Sequence, residues 1–155
     1  MTRFLLGMLV AVTFWSCKDD EPQLTYEQQL AVDTALIDEY LSTNNITAQT
    51  DPSGLRYVIH EPGTGLTPTL ESGIIAAYEG TFLDGQVFDT NDEFTFRLSN
   101  MIDGWQVGLP YIQEGGDISL YIPSGLAYGT RGSNSGTIPP NTVIAFSVQI
   151  FEIRQ

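Results

Sequence analysis

The residue types that usually carry enzyme chemistry are scarce in this chain, and their spacing narrows the field. His60 is the single histidine, and it falls at an outward position of a predicted strand with no Ser or Cys partner indicated, so a nucleophile–base pair has no support. Asp89-x-Asn91-x-Glu93 opens like a calcium loop, but Phe94 stands where that loop needs glycine and Asn100 where it needs a bidentate glutamate. The Gly/Ser/Pro-rich run from Ile122 to Pro140 lacks the Gly-Lys-Ser/Thr ending of a phosphate cradle. Cys17 is the only cysteine, which leaves neither an intramolecular disulfide nor a cysteine-based metal site. The 19 acidic residues make chance carboxylate neighbours common, so paired-carboxylate hydrolysis stays open without a specific signal. None of these patterns calls for a metal or a cofactor.

A chain of 155 residues accommodates one ordinary domain with modest extensions. Its formal charge of −13, with six Lys and Arg in all, argues against a nucleic-acid partner, because a phosphate backbone is held by cations. Thr25-x-x-Gln28 has the form of a capping box, and Tyr26, Leu30, Leu36, Ile37, Tyr40 and Leu41 recur at helical spacing as far as Asn44-Asn45. This predicts an amphipathic helix, either a spacer packed on the domain or a dimerisation and client-holding extension. From Leu55 the period becomes 2, with Leu55, Tyr57 and Ile59 facing one way and Arg56, Val58 and His60 the other. Further strands are predicted over Gly73–Leu83, Phe94–Leu98, Asp117–Ile122 and Asn141–Ile153, with Asp84-Gly85 as a hairpin turn. In the last strand Ile144, Phe146, Val148 and Ile150 alternate inward before the phase moves to Phe151 and Ile153, which predicts a bulge near Ile150. One short helix, around Met101–Leu109, is left to cover the sheet's apolar face.

The first residues carry a signal of another kind. A basic start at Arg3, an apolar run from Phe4 to Trp15 and then Ser16-Cys17 have the layout of a secretory signal, and the run is short for a membrane span. A cysteine at that point resembles the lipidated N-terminus of a bacterial lipoprotein, and Lys18-Asp19-Asp20-Glu21 resembles an acidic export tag for the cell surface. The expected division is a signal peptide over 1–16, a lipid-anchored tether over 17–24, a helical segment over 25–47 and the main domain over 48–155. Cys17 is the expected lipidation site, and the membrane, through that lipid, an expected partner. The expected location is the cell envelope, at the outer membrane, with the periplasmic and the exposed face both left open.

A longer pattern spans about Leu55 to Arg154. It comprises Tyr78-Glu-Gly-Thr-Phe-Leu-Asp-Gly85, Val87-Phe-Asp89, Phe94-Thr-Phe-Arg-Leu98, Met101-Ile-Asp-Gly-Trp105, Ala127-Tyr-Gly129, Ile138-Pro-Pro140 and Phe146. In this order and spacing the chain resembles the FK506-binding-protein (FKBP) type of peptidyl-prolyl cis-trans isomerase. The resemblance implies an α+β fold, a twisted antiparallel sheet wrapped around one short helix. It implies a proline-binding cleft with Trp105 as floor, Tyr78, Phe88, Phe94, Ile102 and Phe146 as apolar walls, Met101 beside them, and Asp89 and the Tyr128 hydroxyl as polar elements. The backbone amide of Ile102 would bond a substrate carbonyl. Proline-containing clients and macrolides of the FK506 and rapamycin kind are the implied partners. The chain departs from the family in three places: Met101 replaces a smaller aliphatic residue, the segment from Leu98 to Met101 is short, and Arg131–Gly136 lacks a histidine-type residue. The rival reading is a non-catalytic binding module or holdase using the same cleft.

The reaction explains why such a site needs no acid, base or nucleophile. Amide resonance holds an Xaa-Pro bond planar against a barrier of about 20 kcal/mol, so it turns over in roughly 10 to 100 s. Twisting breaks the resonance, returns charge to nitrogen and gives a less polar species than the planar amide. A dry aromatic cleft therefore favours the twisted form over the ground state.

Overall fold

The computed structural model describes residues 24–155; the expected signal peptide and Cys17 lie outside them. Helix α1 (Tyr26–Thr43) begins at the anticipated capping box, in which Gln28 N donates to Thr25 Oγ1 at 3.3 Å and Thr25 N donates to Gln28 Oε1 at 2.9 Å. It ends in a Schellman motif: Asn45 takes the left-handed conformation with φ 56°, Ile46 N donates to Leu41 O and Asn45 N to Ser42 O. Asparagine tolerates this conformation better than other side-chain-bearing residues, which is why Asn44-Asn45 stops the helix.

Six antiparallel strands form one sheet in the order β1-β2-β5-β6-β3-β4, comprising β1 (Gln49–Thr50), β2 (Arg56–Glu61), β3 (Gly73–Thr81), β4 (Val87–Arg97), β5 (Asp117–Ile122) and β6 (Ile144–Arg154). The β3–β4 hairpin turns at Asp84-Gly85, where Gly85 has φ 86° and Phe82 N bonds Gln86 O. Strand β4 runs seven residues further toward its N-terminus than the Phe94–Leu98 expected, and contains a bulge between Asn91 and Phe94, opposite Ala76–Tyr78. In β6 the pairing jumps from Ile75↔Glu152 to Ala76↔Ile150, so Phe151 is the extra residue of the predicted bulge. Phe151 itself turns to solvent and only Ile153 regains the inward face, because a bulge leaves its own residue unpaired while restoring the alternation beyond it.

The sheet's inner face holds the main core: Leu55, Ile74, Phe96, Leu98, Trp105, Leu109, Ile118, Leu120, Ile122, Val148 and Ile150, among others, are buried there. Helix α2 (Asp103–Gly108) lies against it. Gly104 and Gly108, one helical turn apart, let the backbone come close: a Cβ on either would stand 2.5 Å from Ile122 or Leu120.

Helix α1 covers the outer face. Ile37 and Leu41 pack with Tyr121 and Val143, and Val58 and Ala145 border them. Tyr26 and Leu36, expected on the buried stripe, are instead 57% and 48% exposed. Asp33 occupies the buried face in their place: it is fully buried, and its carboxylate accepts from Ser124 N (2.8 Å), Ser124 Oγ (2.6 Å) and Gln29 Nε2 (2.7 Å). Arg56 adds a two-pronged ion pair to Asp38 at 2.9 and 3.0 Å. The helix is thus packed on the domain, and β1 pairs the following segment to the edge of the sheet.

Candidate functional site

At the mouth of the inner core, a cleft of about 290 Å³ opens between β3, β4, α2 and the loop before β6; Tyr78, Asp89, Phe94, Asn100, Met101, Ile102, Trp105, Tyr128 and Phe146 line it. That volume is at the small end for ligand pockets, enough for one ring and its flanking amide. The elements place these side chains for simple reasons. Strand alternation turns Tyr78 and Phe146 from neighbouring strands toward the same face. The turn Leu98–Asn100 and the start of α2 deliver Met101, Ile102 and Trp105 within one helical turn.

The walls are aromatic edges set against aromatic faces. Tyr78 meets Trp105 at 5.4 Å and 78°, Phe94 at 5.5 Å and 73°, and Phe146 at 5.9 Å and 64°. Trp105 meets Phe146 at 5.2 Å and 87° and Phe96 at 5.2 Å and 62°. Each such pair contributes about 0.5–1.5 kcal/mol beyond its buried area, and together they make a rigid box that a ligand need not organise. Trp105, at the base of the cleft, is buried, and among the described residues its Nε1–H has no hydrogen-bond partner.

The polar groups are few. Tyr78 donates its hydroxyl to Asp89 Oδ2 at 2.8 Å. Burial pushes the Tyr78 phenol up to about 12, reinforced by the hydrogen bond and charge of Asp89, so it remains a neutral donor at ordinary pH. Burial, and secondarily the Asp89 charge, also raises Tyr128. Among the described residues the Ile102 N–H makes no hydrogen bond, while Met101 O is taken by Gln106 Nε2 at 2.7 Å, which fixes the turn that presents it. Among the described residues the apolar hollow therefore has a free backbone donor, the Ile102 N–H, on its edge.

Of the residues expected at the site, the cleft brings together all but Phe88, which sits further along β4, edge-on to Phe146 (5.5 Å, 89°) and tilted against Phe82, and so backs the wall. Asn100 lines the cleft without having been anticipated; its place in the shortened segment before Met101 was the available hint. His60 does have a serine neighbour: its Nε2 lies 2.8 Å from Ser119 Oγ. Spacing could not reveal that contact, because it joins β2 to β5 across the sheet at the bulge where His60 stands unpaired. Both lie away from the cleft, and no carboxylate bonds the ring among the described residues.

The pattern that defines the family described as FKBP-type peptidyl-prolyl cis-trans isomerase matches residues 66–151. The chain is 39% identical over 109 residues to a Neisseria meningitidis protein named as a probable FKBP-type peptidyl-prolyl cis-trans isomerase, FkpA, covering 68% of this chain and 40% of that one. It is 35% identical over 108 residues to the outer membrane protein MIP of Legionella longbeachae, covering 67% and 46% of the two chains. The crystal structure of Escherichia coli FkpA superposes with a TM-score of 0.71 at 34% identity, over 83% of this chain and 62% of that one. The chain thus spans less than half the length of these two sequence relatives. The antiparallel sheet around a short helix, the aromatic cleft at its mouth and these matches agree, and the chain belongs to the FKBP-type peptidyl-prolyl cis-trans isomerase family.

Proposed function

We propose that the protein is a peptidyl-prolyl cis-trans isomerase that assists the folding of extracytoplasmic proteins. The observation that carries this reading is the pairing of a ring-sized aromatic hollow with the unbonded Ile102 amide at its edge. A prolyl ring seats on Trp105 between Tyr78, Phe94 and Phe146, and the Ile102 N–H bonds a flanking carbonyl of the peptide. Holding the ring and the carbonyl turns binding energy into rotation about the Xaa-Pro bond. The hollow excludes water, which disfavours the polar planar amide relative to the twisted one. Asp89, whose carboxylate is held by Tyr78, orients toward the substrate carbonyl carbon as resonance is lost, and Tyr128 closes the rim. A millionfold acceleration requires about 8 kcal/mol of differential stabilisation, which a handful of such contacts can provide. Phe88 supports Phe146 from behind. Macrolides of the FK506 and rapamycin kind fit the same hollow as competitive ligands.

The envelope location rests on the N-terminal pattern and on a relative named as an outer membrane protein. Lipidation at Cys17 anchors the domain through the tether, with the acidic Lys18–Glu21 segment directing it to the surface. Palmitate labelling that disappears in Cys17→Ser supports the anchor; labelling unchanged by that substitution refutes it. For catalysis, the full chain in mild detergent should accelerate isomerisation of Xaa-Pro peptides, with a large loss in folded Asp89→Ala. A folded, inactive parent that still binds the peptides would point to the non-catalytic binding module instead.

A further inference from the structure

Tyr128 reaches the cleft from the loop that joins β5 to β6, and this loop is tied down at a point no catalytic argument uses. Pro123 to Leu126 form a tight turn in which Leu126 N donates to Pro123 O and Ala127 N to Ser124 O, both at 3.0 Å. Ser124, at the head of the turn, is buried, and both its N–H and its hydroxyl end on one oxygen of Asp33 in α1. The other oxygen of Asp33 takes Gln29 Nε2. Among the described residues no cation pairs with Asp33, and a fully buried carboxylate is then tolerated only where hydrogen bonds saturate it; here they do so across 91 residues of sequence. Beside it, Gly125 passes so close to α1 that a Cβ would stand 2.7 Å from the Tyr26 ring. Next to this contact the seam is open: a hollow of about 290 Å³ lies between Leu24, Gln29 and Leu30 on one side and Gly129 and Thr130 on the other.

We propose that Asp33 is a positioning residue for the cleft: through Ser124 it sets the turn that aims Tyr128 into the site, so that α1 belongs to the catalytic unit. The turn's far end is held independently, by Asn141 N on Gly129 O at 2.8 Å, and the Asp33 bond fixes the near end. This inference rests on the reading of the cleft as the isomerase site.

The test is a double-mutant cycle on the full chain in mild detergent, with kcat and KM measured separately on Xaa-Pro peptides and folding verified by circular dichroism. Asp33→Ala should lower kcat/KM about tenfold, the scale on which misplaced site groups act. In a Tyr128→Ala background the same change should cost less than about twofold, because coupled residues are non-additive. Equal losses in both backgrounds, or no loss in folded Asp33→Ala, overturn the proposal. Ser124→Ala, which removes only the hydroxyl, gives a milder version of the same cycle if Asp33→Ala does not fold, and additive losses there are equally fatal. Arg56→Ala, which frees α1 at its Asp38 ion pair, should leave kcat/KM unchanged. A readout independent of activity separates this idea from the isomerase reading: hydrogen exchange at the Leu126 and Ala127 amides should quicken in the Asp33 or Ser124 variant but not in Arg56→Ala. Inactivity of the parent fails the isomerase reading, whereas unaltered exchange at these amides fails the latch.

Discussion

The two faces of the sheet solve different problems with different residues. The inner face packs a large core and, at one end, leaves a hollow whose walls are rings held edge to face. The outer face carries a small apolar patch, Ile37 and Leu41 on Tyr121 and Val143, and relies on polar ties, Asp33 to Ser124 and Asp38 to Arg56. Aromatic rings are suited to the first task because stiff, flat side chains keep a cavity open without rotamer collapse. Hydrogen bonds and ion pairs suit the second because they fix the angle and register of a helix on a sheet. On the proposed function the inner face should govern chemistry and stability together, and the outer face should govern stability largely by itself, apart from the Asp33 tie.

The largest effect should come from Trp105→Ala, which removes the floor and creates a core cavity. A loss of about 3–5 kcal/mol in unfolding free energy is expected, with activity lost as well; retention of activity in the folded fraction would remove Trp105 from the site. Next, Ile37→Ala on the outer face should cost about 2–4 kcal/mol, measured by denaturant titration, while kcat/KM per folded molecule stays within about twofold of the parent. A large kcat/KM loss there would erase the distinction between faces.

Smaller still is Arg56→Ala. Asp38 is more than half exposed, so the ion pair is worth at most about 1 kcal/mol, and less in high salt. The smallest effect concerns pH. The raised Tyr78 phenol favours the folded state while it is protonated, so its contribution is complete below the ordinary tyrosine range near 10 and falls away as pH rises toward about 12. Alkaline unfolding curves of Tyr78→Phe should show a shallower decline over that window, with the residual slope coming from the other raised tyrosines, Tyr111 through its hydrogen bond to Asp51 and Tyr121 and Tyr128 through burial.

Much of this architecture is legible in the sequence. The capping box, the Asp84-Gly85 hairpin, β5 and the phase slip in β6 follow from local chemistry, and the structure reproduces them. Strand β4 was foreseen only in its apolar half. It is an edge strand of the sheet, and Thr90 to Glu93 are all exposed, so burial imposes no alternation for a pattern to reveal. The buried face of α1 was misjudged at one point that carries information: Asp33 lies three residues after Leu30 and four before Ile37, on the apolar stripe, and an acidic residue there implies a buried polar partner. Which partner could not be known, since Ser124 is far along the chain. The cleft residues were found through the spacing of the family's motifs, and the shift of Phe88 from lining to support depends on ring packing that spacing does not encode.

The most direct test of the central claim is proton–nitrogen exchange spectroscopy of the labelled full chain in mild detergent with a substoichiometric to saturating series of an Xaa-Pro peptide, following cis/trans exchange in the peptide and amide shifts in the protein together. The account predicts that exchange between the cis and trans forms quickens while the Ile102 amide and the Trp105 indole N–H shift along one saturable curve. Accelerated exchange with those two resonances unmoved, or saturable shifts there with no acceleration, would contradict it.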